Sequence, residues 1–110
     1  MSLFSRLLAP LRGAPQAALP DECVVIDVRS AGEYAQGHIE GALNLPAETI
    51  GHAIRKTVPD PLTPIVLYCR SGMRSGHAHG VLANMGYQAV HNGGAVGGLA
   101  LRLQRRIVAR

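Results

Sequence analysis

The sequence predicts an α/β domain in which a central, mainly parallel β-sheet is flanked by helices on both faces. Short apolar runs such as Val24–Ile26 and Ile65–Tyr68 are typical of strands buried on both faces. Segments with helical spacing alternate with these runs, which implies right-handed crossovers between parallel strands. The 110 residues are 47% hydrophobic with a mean hydropathy of +0.13, values that favour one folded domain over a disordered chain.

Local signals place the elements of the first half. Ser30 followed by Glu33 forms a capping box, which predicts a helix over residues 31–36 that ends at Gly37. A short strand over residues 42–45 stops at Pro46. Ile50, Ile54 and Val58 then share one face of a helix predicted over residues 47–57.

The second half holds the strongest strand signal, residues 65–68. A glycine-containing turn is predicted over residues 69–74, followed by a helix from Ser75 to Met85. Residues 87–91 are expected to form another strand, and Gly93 and Gly94 a turn. The tail from Ala95 to Arg110 is predicted to be a basic amphipathic helix whose apolar stripe packs on the sheet.

The N-terminal segment, residues 1–20, is expected to be an arm or short helix before a single domain over residues 21–110. Arg6 and Pro10 interrupt its apolar stretch, so we expect a cytoplasmic protein. A periplasmic location, with the segment cleaved as a signal, is the less favoured alternative. No apolar run approaches the roughly 20 residues of a membrane span, and a monomer is expected.

Charge is distributed unevenly along the chain. Residues 1–60 carry five basic and seven acidic side chains, whereas residues 61–110 carry six basic and no acidic ones. A half without carboxylates attracts anions. Three Tyr, one Phe and no Trp offer few rings for base stacking, which favours a small anionic substrate over nucleic acid.

Metals and cofactors are not expected. Cys23 and Cys69 lie too far apart for a zinc site, and His77 and His79 point to different faces of their helix. The glycine-rich run over residues 93–98 resembles part of a dinucleotide site. The sequence ends at Arg110, so we do not expect the second strand and acidic residue that such a site requires.

Cys69 is the predicted nucleophile. It follows the strongest strand, where ligands bind in open α/β sheets, and the next helix directs its N-terminus at it. Arg70 and Arg74 add positive charge, and these influences together favour the thiolate. Cys23 has no such surroundings and is expected to be an inert, buried cysteine.

Several separated motifs are similar to those of one family. In chain order they are Asp27-Val-Arg-Ser-x-x-Glu33-Tyr34, Gly37-His38-Ile39-x-Gly41-Ala42-x-Asn44-Leu45-Pro46, Cys69-Arg-Ser-Gly-Met-Arg-Ser75 and Gly93-Gly94. Their order and spacing over residues 23–98 resemble the single-domain rhodanese-like sulfurtransferases. The resemblance implies that family's fold and a persulfide on Cys69. Arg74 gives the C-x4-R loop typical of the family, whereas cysteine phosphatases use C-x5-R and position 75 here is serine.

The mechanism implied is transfer of sulfane sulfur from thiosulfate through Cys69 to cyanide or a thiol, and it needs no cofactor. We expect the loop to bind the donor and the persulfide, with the arginines pairing the anion and the serine hydroxyls and backbone N–H groups donating to it. The predicted binding residues are Arg70, Ser71, Gly72, Met73, Arg74 and Ser75. Two alternatives remain: a persulfide carrier that serves a partner protein thiol in a thiolation pathway, and a non-catalytic rhodanese-like binding module.

Structural roles near the site are predicted for four further residues. Asp27 and Arg29 are expected to form an ion pair or cap at the exit of the first strand. Glu33, four residues after Arg29, is its expected partner. His38 is expected to make a scaffold hydrogen bond and not to act as a general base.

Overall fold

The computed structural model of the protein describes residues 19–109; most of the predicted N-terminal arm, and Arg110, lie outside this range. The strands and helices within it are, in chain order, β1 Val24–Asp27, α1 Ala31–Gln36, β2 His38–Ile39, β3 Leu43–Asn44, α2 Ile50–Thr57, β4 Ile65–Cys69, α3 Met73–Asn84, β5 Val90–Ala95, α4 Val96–Leu103 and β6 Ile107–Val108. No helix within 19–109 has both the length and the apolar character needed to span a bilayer.

The central sheet has the strand order β3-β1-β4-β5, and its neighbouring strands are all parallel. β4 lies at its centre, and all five of its residues are buried. This burial explains the unbroken apolar run Ile65–Tyr68, because a strand covered on both faces has no polar side to expose. The mainly parallel sheet predicted from the sequence is confirmed.

Alternate residues of β1 and β4 enter two separate cores. Ile26 and Leu67 face α2 and α3, where they pack with Ile50, Ile54, Ala78 and Leu82. Val66 and Tyr68 face the opposite side and pack with Ile39, Tyr34 of α1 and Leu99 of α4. Helices therefore cover both faces of the sheet, as the sequence predicts.

Helix α1 has the predicted bounds because its signals are local. The Ser30 hydroxyl accepts a hydrogen bond from the Glu33 backbone N–H, and the Glu33 carboxylate accepts one from the Ser30 backbone N–H. Gly37 follows the helix, and its N–H donates to the carbonyls of Glu33 and Tyr34. This reciprocal capping box satisfies backbone donors that would otherwise lack partners.

Two predictions for the second half are wrong in their bounds. The strand predicted over residues 87–91 instead runs over Val90–Ala95, so Gly93 and Gly94 belong to β5 and not to a turn. Gly93 is required by packing, since a Cβ there would lie 2.8 Å from Leu99 Cδ2 and 2.9 Å from Val66 Cγ1. Helix α3 begins at Met73 rather than Ser75, because Gly72 takes the N-cap position.

The prediction of a continuous helix from Ala95 to Arg110 is also wrong. Helix α4 ends at Leu103, and Gln104 adopts a positive φ of 54° that turns the chain. β6 then pairs antiparallel with β2, where His38 lies opposite Val108 and Ile39 opposite Ile107. Neither strand is predictable from local sequence, because each has two residues and is stabilised by a partner about 70 positions away in the chain.

Candidate active site

The loop between β4 and α3 surrounds the sulfur of Cys69. β4 ends at Cys69, and α3 begins four residues later. Gly72 makes this tight turn with φ 95°, a left-handed conformation that favours glycine. The helix N-terminus and its unpaired N–H groups are thereby directed at the end of the strand.

The Cys69 sulfur receives hydrogen bonds from this loop. The Gly72 N–H donates to Sγ at 2.9 Å, and Ser75 Oγ lies 3.4 Å from Sγ. Burial by itself raises the pKa of the Cys69 thiol. Hydrogen bonds that the thiolate accepts from the Ser75 side chain and from the backbone of Ser75, Ser71 and Gly72 outweigh burial and lower this pKa to about 7. A substantial fraction of Cys69 is therefore thiolate at neutral pH.

The loop also covers the sulfur. Cys69 and Ser75 have no exposed surface, whereas the side chains of Arg70, Ser71 and Met73 are exposed. Met73 is 81% exposed, so its side chain points away from the sulfur. The sulfur is therefore covered in this conformation of the loop.

Arg74 binds Glu33, which corrects the predicted pairing of Glu33 with Arg29. Arg74 Nη1 donates to Glu33 Oε1 at 2.7 Å, and Nη2 donates to Oε2 at 3.0 Å. This pair lowers the pKa of Glu33 to about 2. The pairing links α1 to the start of α3, and much of the charge of Arg74 is neutralised by it.

The Arg70 side chain is exposed beside the loop. Within residues 19–109, no hydrogen bond or ion pair occupies its guanidinium. It lines an open cleft of about 320 Å³ together with Arg29, Glu33, Gln36 and Gly37. A larger cleft of about 440 Å³ lies along β5, but none of residues 69–75 lines it.

Asp27 and Arg29 form a buried ion pair at the end of β1. Arg29 Nε lies 3.0 and 3.1 Å from the two Asp27 oxygens, and Arg29 Nη2 lies 2.7 Å from Oδ2. Arg29 also donates to the Gly37 carbonyl, and its guanidinium lies 5.7 Å from the centre of the Tyr68 ring. Asn44 donates to the Asp27 and Arg29 carbonyls. These contacts hold Arg29, which lines the smaller cleft, in a fixed position.

His38 is part of the buried scaffold next to α1. It is buried, its ring stacks on Tyr34 at a centroid distance of 3.7 Å, and Nδ1 lies 2.7 Å from the Tyr34 carbonyl. Its Nε2 has no hydrogen-bond partner among the described residues. Nothing in this arrangement directs His38 at the sulfur.

Asn92 is a further residue of this site, and it was not predicted from the sequence. Its Oδ1 accepts hydrogen bonds from Ser75 Oγ at 2.7 Å and from the Gly94 N–H at 3.0 Å. Its Nδ2 donates to the Gly72 carbonyl at 3.2 Å. The partners in the loop are 17 and 20 residues away in sequence, so no local signal identifies it.

Cys23 lies outside this site. It is partly buried and unpaired, and burial raises its pKa. Residues 19–109 contain no group of three His, Cys, Asp or Glu side chains arranged to hold a metal ion.

Comparison with known proteins identifies the family. The model of the rhodanese-like domain matches residues 12–97. The chain is 38% identical over 76 residues to thiosulfate sulfurtransferase PspE of Escherichia coli, covering 69% of this chain and 73% of that protein. It is 34% identical over 77 residues to a tRNA sulfurtransferase of Thermoplasma acidophilum, covering 70% of this chain but 15% of that protein.

The fold agrees with a solved structure. A rhodanese with anions from E. coli superposes with a TM-score of 0.74 at 34% identity, covering 81% of this chain and all of that one. The sheet order, the loop after β4 and the family match all support the same assignment. The chain belongs to the rhodanese-like domain family of sulfurtransferases.

Proposed function

We propose that this protein is a thiosulfate sulfurtransferase that carries sulfane sulfur as a persulfide on Cys69. The observation that carries the proposal is the position of the Cys69 sulfur at the N-terminus of α3. There the Gly72 N–H donates to it at 2.9 Å, and its pKa is lowered to about 7. The 38% identity to a thiosulfate sulfurtransferase supports thiosulfate as the donor.

In the first half-reaction, the Cys69 thiolate attacks the outer sulfur of thiosulfate. A new S–S bond forms to Sγ while the S–S bond of thiosulfate breaks, and sulfite leaves with the bonding electron pair. The N–H groups that surround Sγ stabilise the persulfide anion, because they are already oriented before reaction. Cys69 is ionised to a large extent at neutral pH, so the attack needs no separate general base.

In the second half-reaction, cyanide or an acceptor thiolate attacks the outer sulfur of the persulfide. The persulfide S–S bond breaks, the sulfur leaves with the acceptor as thiocyanate or a new persulfide, and the Cys69 thiolate is regenerated. The two half-reactions share one covalent intermediate. Initial-rate measurements are therefore expected to give the parallel lines of ping-pong kinetics.

Arg70 is the proposed binding residue for the donor anion. Its guanidinium has no ion-pair partner within residues 19–109 and borders the cleft beside the loop. A planar fork of N–H donors fits two oxygens of thiosulfate. Arg74 has a secondary electrostatic role because Glu33 already occupies its fork. The backbone of Ser71, Gly72, Met73 and Ser75 completes the anion-binding ring.

The second candidate function is a persulfide carrier that transfers sulfur to a partner protein. The 34% identity to a tRNA sulfurtransferase over 77 residues is the observation that favours it. A carrier would show slow turnover with cyanide and fast transfer to a protein thiol. The third alternative, a non-catalytic binding module, is disfavoured because such a module needs neither a nucleophilic cysteine nor a lowered pKa at Cys69.

Intact-mass spectrometry after incubation with thiosulfate tests the proposal. The wild type is expected to gain one sulfur atom, which cyanide removes. Cys69→Ser is expected to gain nothing, whereas the matched control Cys23→Ser behaves as wild type. A wild type without the gain, or an equal gain in Cys69→Ser, would overturn the proposal.

A further inference from the structure

The orientation of the Asn92 amide is fixed by two backbone groups. The Gly94 N–H can only donate, so it must face Oδ1, 3.0 Å away. The Gly72 carbonyl can only accept, so it must face Nδ2, 3.2 Å away. The atom 2.7 Å from Ser75 Oγ is therefore the amide oxygen, an acceptor.

This orientation determines where the Ser75 hydroxyl hydrogen lies. A hydroxyl has one hydrogen, and Asn92 Oδ1 can only accept, so Ser75 donates that hydrogen to Asn92. The Ser75 oxygen then presents lone pairs to Cys69 Sγ at 3.4 Å. That arrangement suits a thiol, whose S–H donates to Ser75, and it is repulsive toward a thiolate.

We propose that Asn92 is a positioning residue that holds the Ser75 hydroxyl hydrogen away from Cys69 and thereby opposes formation of the thiolate. When Cys69 ionises, its proton is lost to solvent and the Ser75 hydroxyl turns its hydrogen from Asn92 to the sulfur. The Gly94 N–H remains on Asn92 Oδ1 throughout. The chain Cys69–Ser75–Asn92 thus has two hydrogen-bond arrangements, one for each protonation state.

The charged groups around Cys69 lie on elements other than β5, the strand of Asn92. Rotation of the Ser75 hydroxyl does not change their charges. Arg70 lies in the loop, Arg74 at the start of α3, and Asp27, paired with Arg29, at the end of β1. On α3, His79 lies one turn beyond Ser75 and contacts the Val90 carbonyl. From β5, the side chain that contacts Ser75 is Asn92, which does not titrate. Its influence on Cys69 therefore acts through the Ser75 hydrogen and through its contact with Gly72, and the experiment separates these two routes.

The experiment is a double-mutant cycle read by the pKa of Cys69. The thiolate absorbance is titrated in Asn92→Leu, Ser75→Ala and the double variant, all in a Cys23→Ser background. A Cys69→Ser sample is subtracted. When Ser75 is present, Asn92→Leu is expected to lower the pKa of Cys69 by about half a unit to one unit more than it does in the Ser75→Ala background. This difference corresponds to the free energy of one hydroxyl hydrogen bond. Ser75→Ala alone is expected to raise the pKa.

Any loosening of the loop through the lost Gly72 contact appears equally in both backgrounds and cancels. Equal shifts with and without Ser75, or a coupling of opposite sign, would overturn the inference. Asn92→Asp is the second variant, since it keeps the acceptor and adds negative charge. It is expected to raise the pKa, and more strongly when the Ser75 hydroxyl is present; the reverse order counts against the inference.

The inference rests on the proposed function only in taking Cys69 as the reacting thiol. The titration requires no sulfur donor, so the two outcomes are separable. A coupling without any sulfur gain from thiosulfate would refute the proposed function alone. A sulfur gain without coupling would refute the role of Asn92 alone.

Discussion

Arg74 and Glu33 form a two-bond ion pair across 41 positions of sequence, with N–O distances of 2.7 and 3.0 Å. The same Glu33 oxygen that binds Arg74 Nη1 also accepts from the Ser30 N–H at 3.1 Å. One carboxylate therefore caps α1 and anchors the first turn of α3. The arrangement holds the cysteine loop against α1 and leaves Arg70 as the neighbouring arginine without an ion-pair partner within residues 19–109.

Arg70→Ala is expected to impair use of thiosulfate more than Arg74→Ala. Loss of one charge-assisted pairing corresponds to a fall in kcat/KM for thiosulfate of about 10- to 100-fold. Arg74→Ala is expected to lower Tm as well, because it breaks the link to Glu33. Arg106→Ala is the charge-matched control, since Arg106 pairs with the exposed Glu40. An equal loss in Arg106→Ala would mean that only net charge matters.

The first half-reaction is expected to follow ionisation of Cys69. The thiolate is the reactive form, so the rate of sulfite release should rise about tenfold per pH unit below pH 7 and level off above it. The midpoint is expected at about 7. Stopped-flow measurement of the single-turnover rate against pH checks this, and a midpoint near 9.0, the ordinary thiol value, would contradict the hydrogen-bonded site.

Gly72→Ala is expected to raise the pKa of Cys69 and to lower the turnover rate at least about tenfold. A Cβ at Gly72 would lie 3.6 Å from Gly94 Cα, an ordinary contact, so the cost comes from φ 95°. A side chain in that conformation costs roughly 1–2 kcal/mol, and relief of the strain moves the N–H away from Sγ. Gly80→Ala, in the same helix with nothing near its Cβ, is the control and should retain activity.

Glu33→Gln is expected to lower the free energy of unfolding at pH 7 by about 1 kcal/mol, because both partners of the Arg74 pair are partly exposed. The pKa of Glu33 is lowered from 4.5 to about 2 in the folded protein. The stabilisation is therefore complete above about pH 5 and is lost as the pH falls toward 2.

Denaturant titrations of Glu33→Gln and wild type at pH 7 and pH 3 should accordingly show a difference that narrows in acid. Glu40→Gln is the comparison variant, since its pair with Arg106 is far more exposed. A difference for Glu33→Gln that is the same at both pH values would contradict the role of the carboxylate.

Gly93→Ala is expected to lower the free energy of unfolding by about 1–3 kcal/mol. The added methyl group would lie within 3.0 Å of Leu99 Cδ2, Val66 Cγ1 and the Leu67 carbonyl. Thermal unfolding by circular dichroism measures the effect. Gly97→Ala, in α4 with no atom near its Cβ, should raise Tm slightly. A neutral Gly93→Ala would show that β5 and α4 have room to separate.

The predictions from sequence succeeded where the determining residues are close together in the chain. The capping box of Ser30 and Glu33 gave the bounds of α1. The apolar run ending at Cys69 gave the central strand. The helix that follows such a strand has its N-terminus near the cysteine, however the other elements pack. The position of Cys69 was therefore predictable.

Tertiary structure alone decided the partners of the polar side chains. Glu33 lies four residues after Arg29, but Arg29 precedes the N-cap of α1; Arg29 binds Asp27 and Gly37, and Glu33 binds Arg74 instead. Whether the Glu33 carboxylate binds Arg29 or Arg74 depends on how α1 packs beside α3. Sequence spacing within α1 carries no information about that packing.

By itself, then, the sequence determined the alternation of helices with the strands of the central sheet, the position of Cys69 at the end of β4, and the family, because capping, periodicity and motif spacing act over a few residues. Only the folded chain decided that Arg70 is left without an ion-pair partner within residues 19–109, that Asn92 contacts the loop through Ser75 and Gly72, and that β2 pairs with β6. Each of these facts depends on distances between segments remote in sequence, and those distances are set by the packing of both cores.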